Sequence, residues 1–178
     1  MTAVYVLLAA ALLLAAAVCV YIAAQGDEAV AILPKEREKL SCDLIDERRA
    51  VFSLKVPFAN AGRQDGIVLD AFARPLLPRE QFDLGLLSAR LEREAARRGD
   101  GYLEAFIARA GMRGNFILTM EFVPQEGVSV SELFAGMVDI TIDLYCSLVG
   151  RGAPKIRKTA LRLPLEEIRD GAAKGMKL

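Results

Sequence analysis

Ala3 to Ala24 is an unbroken run of 22 apolar or small residues. As a helix rising about 1.5 Å per residue it spans roughly 33 Å, enough to cross a hydrocarbon core of about 30 Å. Residues 1–26 hold no charged side chain, so all 23 basic and all 23 acidic residues follow Gly26. Leu and Ala favour helix, and no Pro or Gly interrupts the run. Tyr5 and Tyr21 stand near its two ends, where amphipathic rings prefer the membrane interface. The expectation is one transmembrane helix over residues 1–25, in contact with membrane lipid. The competing readings are a cleaved secretory signal and a soluble core helix. Ile22-Ala23-Ala24-Gln25 loosely mimics a small-residue cleavage site. Against that, no Lys or Arg precedes the run, and it exceeds the usual signal core of about 7–15 residues.

The flank after the run carries Lys35, Arg37 and Lys39, while none precedes it. The positive-inside rule then places the rest of the chain on the cytoplasmic side. Asp27 and Glu28 are the nearest charges and pull the other way, so the side stays open.

Past Gly26 the chain is charge-rich and balanced, which removes the basic excess expected of a nucleic-acid-binding domain. There is no histidine. That excludes the commonest general base near neutral pH, the Ser-His and Cys-His pairs, and any histidine-ligated metal within this chain. No phosphate-binding, dinucleotide-binding or nucleophile-elbow glycine motif occurs. Nothing points to a cofactor, a catalytic residue, a metal ligand set or a small-molecule substrate, and no enzyme is expected.

Residues 26–39 read as a linker, polar and alternating in charge, with Pro34 and a short helix as the alternative. From Leu40 the period changes to two. Phe52, Leu54, Val56 and Phe58 alternate with Ser53, Lys55, Pro57 and Ala59, a half-buried strand in which Pro57 suggests an edge or a bulge. Asn60-Ala61-Gly62 supplies turn residues that tolerate left-handed backbone angles. A second extended segment runs Ile67–Phe72 and is closed by Pro75 and Pro78. Tyr102–Ala108 is expected to pair with Phe116–Val123 through the loop Gly111–Gly114. Asp139–Val149 is the cleanest strand, with Ile140, Ile142, Leu144, Cys146 and Leu148 on one face, and Ile156–Leu163 is the last. Between them, Leu84, Leu87 and Leu91 at helical spacing predict one inserted helix over 84–97. A short helical turn is expected at Val130–Phe134. Residues 169–178, rich in Gly and Lys, read as a flexible tail. The sum is a mainly β, immunoglobulin-like antiparallel sandwich over 40–168 with one inserted helix.

The stretch Phe52–Phe72, a strand ending in an Asn-x-Gly turn and followed by a second strand, resembles immunoglobulin-like sandwiches of late-embryogenesis-abundant-like domains and bacterial cell-adhesion-type repeats. The resemblance implies the sandwich fold and carries no functional residue. The Cys-Trp-Cys signature of true immunoglobulin domains is absent, since there is no tryptophan.

Four features are candidates for chemistry or binding. Cys42 and Cys146 share inward parity, so facing strands would bring them within disulfide reach; two free buried thiols are the alternative. Asp139 and Asp143, with Asp70 or Glu104, are acidic enough for a calcium site, or simply a solvated strand face. The loop Arg74, Leu76, Leu77, Arg79 and Phe82, stiffened by Pro75 and Pro78, is either a docking surface or a crossover whose apolar residues plug the core. Arg151, Lys155, Arg157, Lys158 and Arg162 suit either anionic lipid or a protected sheet edge. The functional expectation is a single-pass, non-enzymatic binding or scaffolding protein, with a protein partner or self-association. The alternatives are a stress-type or lipid-contacting structural domain and, third, a membrane-bound hydrolase.

Overall fold

Period-two alternation is realised along the whole of the strand Ala50–Asn60 (β3), where every second residue from Ala50 to Asn60 is buried. The computed structural model describes residues 2–77 and 82–175. The chain runs α1 (Thr2–Ala24), β1 (Val30–Ile32), β2 (Ser41–Ile45), β3, β4 (Gly66–Leu76), β5 (Gly85–Arg93), β6 (Phe106–Ala108), β7 (Arg113–Pro124), α2 (Val130–Ala135), β8 (Ile140–Val149), β9 (Lys155–Leu163) and α3 (Leu165–Gly175). One sheet has the order β1-β3-β7-β5, with β2 also on β3; the other has the order β6-β4-β8-β9. Every pairing is antiparallel. The mainly β two-sheet sandwich is therefore present.

The core lies between the inner faces. Phe58, Phe106 and Phe116 cluster at one end, with Phe58 and Phe116 centroids 4.6 Å apart. Phe52, Phe122 and Phe134 meet edge to face at the other, at 5.5 to 5.8 Å. Leu54, Val56, Ile142, Leu144 and Leu148 fill the middle. No residue of α1 is buried, so the helix stands clear of this core.

The predicted helix over 84–97 is a strand, β5, followed by a single 3₁₀ turn at Glu94–Ala96. Leu84, Leu87 and Leu91 fit a helical stripe, but Gly85, Leu87, Ala89 and Leu91 also fit period two. The twelve-residue β7 decides between them. Without β5, one side of its backbone would lack partners, and β5 supplies a continuous ladder from Gly85↔Pro124 to Arg93↔Phe116. Phe106–Ala108 pairs with β4 in the other sheet and not with β7, because the 3₁₀ turn and the loop after it carry the chain across the sandwich.

The segment expected to fray is mostly helical. Ile168 and Ala172 of α3, four residues apart on one face, are buried in the core. The expected linker contributes β1 and a 3₁₀ turn, Pro34–Glu36. Pro57 sits inside β3, yet on a locally open side. β1 pairs residues 58–60 and β2 pairs residues 50–53, so no ladder needs the missing N–H between them. The Pro57 carbonyl there accepts the Leu33 N–H at 2.8 Å. Pro75 does not end β4, which has a strand partner on one side only beyond Val68.

The Asn60–Gly62 turn uses no left-handed residue. Gly62 is required by close approach: a Cβ there would meet the Asp27 carbonyl oxygen at 2.3 Å and the Ala29 nitrogen at 2.5 Å.

Candidate functional site

The two outer faces of the sandwich differ in chemistry. On the β1-β3-β7-β5 sheet, charges pair across strands: Lys55 with Glu94 at 2.8 Å, Arg49 with Glu121 at 3.2 Å, and Arg90 with the same carboxylate at 3.6 Å. That face is mainly ion-paired, with Leu86 and Val123, opposite each other at its β5–β7 end, left exposed at 58% and 41%.

The outer face of the β6-β4-β8-β9 sheet carries an apolar stripe. Register builds it. Ile67 of β4 lies opposite both Ile107 of β6 and Val149 of β8. Phe72 lies opposite Tyr145, and their rings stack at 4.8 Å with an 11° interplanar angle. Ile156 of β9 lies opposite Ser147. A bulge between Val68 and Asp70 adds one residue, so Leu69 and Asp70 are both exposed. The exposed fractions are large for such side chains: Ile67 40%, Leu69 46%, Phe72 46%, Ile107 58% and Ile156 72%. The stripe is bordered by Asp143, which Lys158 holds at 2.6 Å while its ammonium sits 5.9 Å from the Tyr145 ring centroid. An apolar stripe of this extent with a charged border is the usual character of a contact surface.

The predicted docking loop divides between this face and the core. Arg74 is exposed opposite Asp143, and Leu76, 41% exposed, ends β4 on the same outward parity as Phe72. Leu77 packs against the core, and Phe82 is buried in it. Arg79 lies outside the described residues.

Cys42, half-buried on β2, and Cys146, buried on β8, belong to different sheets, and both thiols are free. Burial, with the neighbouring Asp43 carboxylate adding to it, pushes the Cys42 thiol up. Burial pushes Cys146 up to about 11. Neither is poised as a thiolate nucleophile at neutral pH. Asp139 and Asp143 are engaged by cations and not by each other. Asp139 accepts the Leu165 N–H at 2.9 Å and pairs with Arg162 at 2.7 Å, and these contacts, the backbone bond first, hold its carboxyl below the usual range. Among the described residues no three of His, Cys, Asp or Glu converge as a metal site. Of the basic residues near the C-terminal end of the sheet, Lys155, Lys158 and Arg162 each have a carboxylate partner.

Three buried polar groups had no signal in the sequence. Asn60 uses its full amide: Oδ1 accepts from Ala29 N and Gly62 N at 2.9 and 3.0 Å, and Nδ2 donates to the Gln64 and Ala108 carbonyls at 2.9 and 2.8 Å. Glu92 accepts the N–H groups of Arg98, Gly99 and Gly101 with one oxygen. Glu28 is buried beside Lys155 at 2.9 Å, and its Oε2 has no hydrogen-bond partner among the described residues. The hydrogen bond from Lys155 outweighs burial and holds the Glu28 carboxyl below its ordinary value.

No family model matches the chain. No curated protein matches it either. Among solved structures, the chain is similar to the GAE domain of yeast GGA1, at 11% identity and a TM-score of 0.34, covering 71% of this chain and 99% of that one. It is also similar to the GAE domain of GGA2p from Saccharomyces cerevisiae, at 12% identity and a TM-score of 0.36, covering 76% of this chain and 98% of that one.

Proposed function

We propose that this chain is a single-pass membrane protein whose sandwich domain captures a protein partner with the outer face of the β6-β4-β8-β9 sheet. The observation that carries the reading is the contrast between the two outer faces. One is mainly charge-paired, with only Leu86 and Val123 exposed at its β5–β7 end among the large apolar side chains of those two strands, while the other leaves Ile67, Leu69, Phe72, Ile107 and Ile156 in water. Leaving apolar area in water forgoes about 25 cal/mol per Å² of stabilisation that a partner would recover. α1 supplies the anchor, with 23 apolar or small residues in one helix near the N-terminus. A binding role also suits a chain with no histidine and two protonated thiols, which lacks the usual acid–base and nucleophile pairs. By the positive-inside rule the flank Lys35, Arg37 and Lys39 puts the domain on the cytoplasmic side, which protease protection of intact cells checks.

Site-specific photocrosslinking tests the surface in the full chain in its native membranes. A photoreactive residue at Phe72 or Ile156 is expected to give one discrete adduct, and the same residue at Ser88 on the charged face none. Ile67→Glu is expected to abolish the adduct while leaving the strand spectrum intact. An adduct of twice the chain mass identifies self-association. Crosslinking from Ser88 alone, or adducts indifferent to Ile67→Glu, overturns the assignment.

A further inference from the structure

The foot of α1 has a chemistry that its own sequence does not supply. No basic residue lies in its last turn, and the first charges after it are Asp27 and Glu28. The fold brings two cations there from far along the chain. Arg63, in the turn between β3 and β4, donates from Nη1 to the Ala24 carbonyl at 3.2 Å. Arg151, in the turn between β8 and β9, donates from Nη1 to the Gly26 carbonyl at 3.4 Å. Neither turn is free to swing away. The Arg63 N–H donates to the Asp27 carbonyl at 3.2 Å, and Gln64 Nε2 donates to Gln25 Oε1 at 2.7 Å. Gly150 packs so tightly on Glu28 that a Cβ there would lie 1.9 Å from Oε2, which fixes the turn that carries Arg151.

Each arginine closes a separate hollow against the last helical turn. One is walled by Tyr21, Ala24, Gln25 and Arg63. The other is walled by Ile22, Ala23, Gly26, Asp27, Arg151 and Gly152. Both therefore combine an apolar helix wall with one guanidinium at the depth where the chain leaves the hydrocarbon. Both arginines are exposed, and among the described residues neither has a carboxylate within ion-pair distance, unlike Lys155, Lys158 and Arg162. A guanidinium has five N–H donors, and one is used on a backbone carbonyl, Ala24 for Arg63 and Gly26 for Arg151. The others remain for a phosphate, which a guanidinium grips in paired fashion. An arginine that only capped the helix dipole would need no such open, half-apolar hollow.

We infer that Arg63 and Arg151 form a two-armed clamp for the phosphates of anionic phospholipid headgroups, with the acyl chains lying along the Tyr21 and Ile22 faces of α1. The inference rests on the reading of α1 as a membrane span. By contrast Arg37, which the sequence offers as flanking charge, is spent on Glu167 of α3 through a forked contact at 2.7 and 2.5 Å. Asp27 shares the Arg151 hollow and offsets part of its charge, so Arg63 carries the larger share of the selectivity.

The test uses the full chain reconstituted in phosphatidylcholine bilayers containing about a third phosphatidylglycerol, with trace spin-labelled lipid of either headgroup. The fraction of lipid held motionally restricted at the protein is read by electron spin resonance. A cation near an anionic headgroup is worth about fivefold in partition, so the restricted fraction is expected to favour phosphatidylglycerol about fivefold, less at high salt. Arg63→Gln with Arg151→Gln is expected to abolish the preference, and Arg63→Lys with Arg151→Lys to keep part of it. Equal restriction of both lipids by the unaltered protein overturns the clamp and leaves the anchor standing, as does a preference that survives the double Gln change. No restricted lipid of either kind shows that α1 is not in the bilayer, which overturns the anchor and the clamp with it.

Discussion

Asn60 shows how much one side chain carries in this domain. It ties β3 to the segment entering β1, to its own turn and to the end of β6 through four hydrogen bonds, the one to Ala108 buried and the others partly so. Truncating it leaves the buried Ala108 carbonyl without this partner, at about 1–3 kcal/mol, while the part-buried groups can turn to water. Asn60→Ala is therefore expected to lower the urea unfolding free energy of the detergent-solubilised chain by about 2 kcal/mol, and Asn60→Asp to cost a comparable amount, since a carboxylate cannot donate to Gln64 and Ala108. Glu28 makes a pH prediction. Its carboxyl is held below its ordinary value of 4.5 chiefly by the Lys155 hydrogen bond, so the unfolded chain takes up the proton first. Its contribution to stability is present above 4.5 and is lost as pH falls through the depressed folded-state value. Acid titration should show the unaltered chain losing stability more steeply below pH 4.5 than Glu28→Gln, with the two converging at the acid end. Parallel curves would contradict the buried pair.

At the scale of elements, β5 separates local preference from tertiary demand. Its leucines and its Glu and Arg residues are good helix formers, and the Leu spacing fits a helical stripe. The deciding information is the unpaired side of β7, which no local window of sequence contains. Glu92 tests the assignment, since a helix would leave it in water, whereas in β5 it is 2% exposed and holds three N–H groups of the following loop. Glu92→Ala is expected to destabilise the fold by about 2–3 kcal/mol; a loss within about 0.5 kcal/mol, as for an exposed site, would contradict the strand. β3, β7 and β8 were legible because each keeps one apolar face over most of its length, whereas β9 buries only Leu161 and Leu163 at its end. β1 and β6 have three residues each, too few for a period, and α3 hid its buried Ile168, Gly171 and Ala172 in a segment rich in Gly and Lys. The contact face was legible only in part. Arg74 and Leu76 were flagged, but Phe82 in the same loop belongs to the core. Placing Ile67, Leu69, Phe72 and Ile156 on one surface required the register and the bulge at Leu69.

At the scale of the molecule, the chain on the proposed reading is divided between two solvents. α1 exposes Leu, Val and Tyr along its whole length, which water would penalise and hydrocarbon accepts. The sandwich beyond it keeps its phenylalanines inside. The junction is built from the domain's own turns, through Arg63, Gln64 and Arg151, so helix and sandwich meet through specific hydrogen bonds. On the proposed reading α1 stays with the mature protein. Alkaline carbonate extraction of membranes from expressing cells, followed by intact-mass measurement of both fractions, tests this directly. The account predicts the whole 19.4 kDa chain in the carbonate-resistant membrane pellet. A soluble product beginning near Gln25 would contradict it.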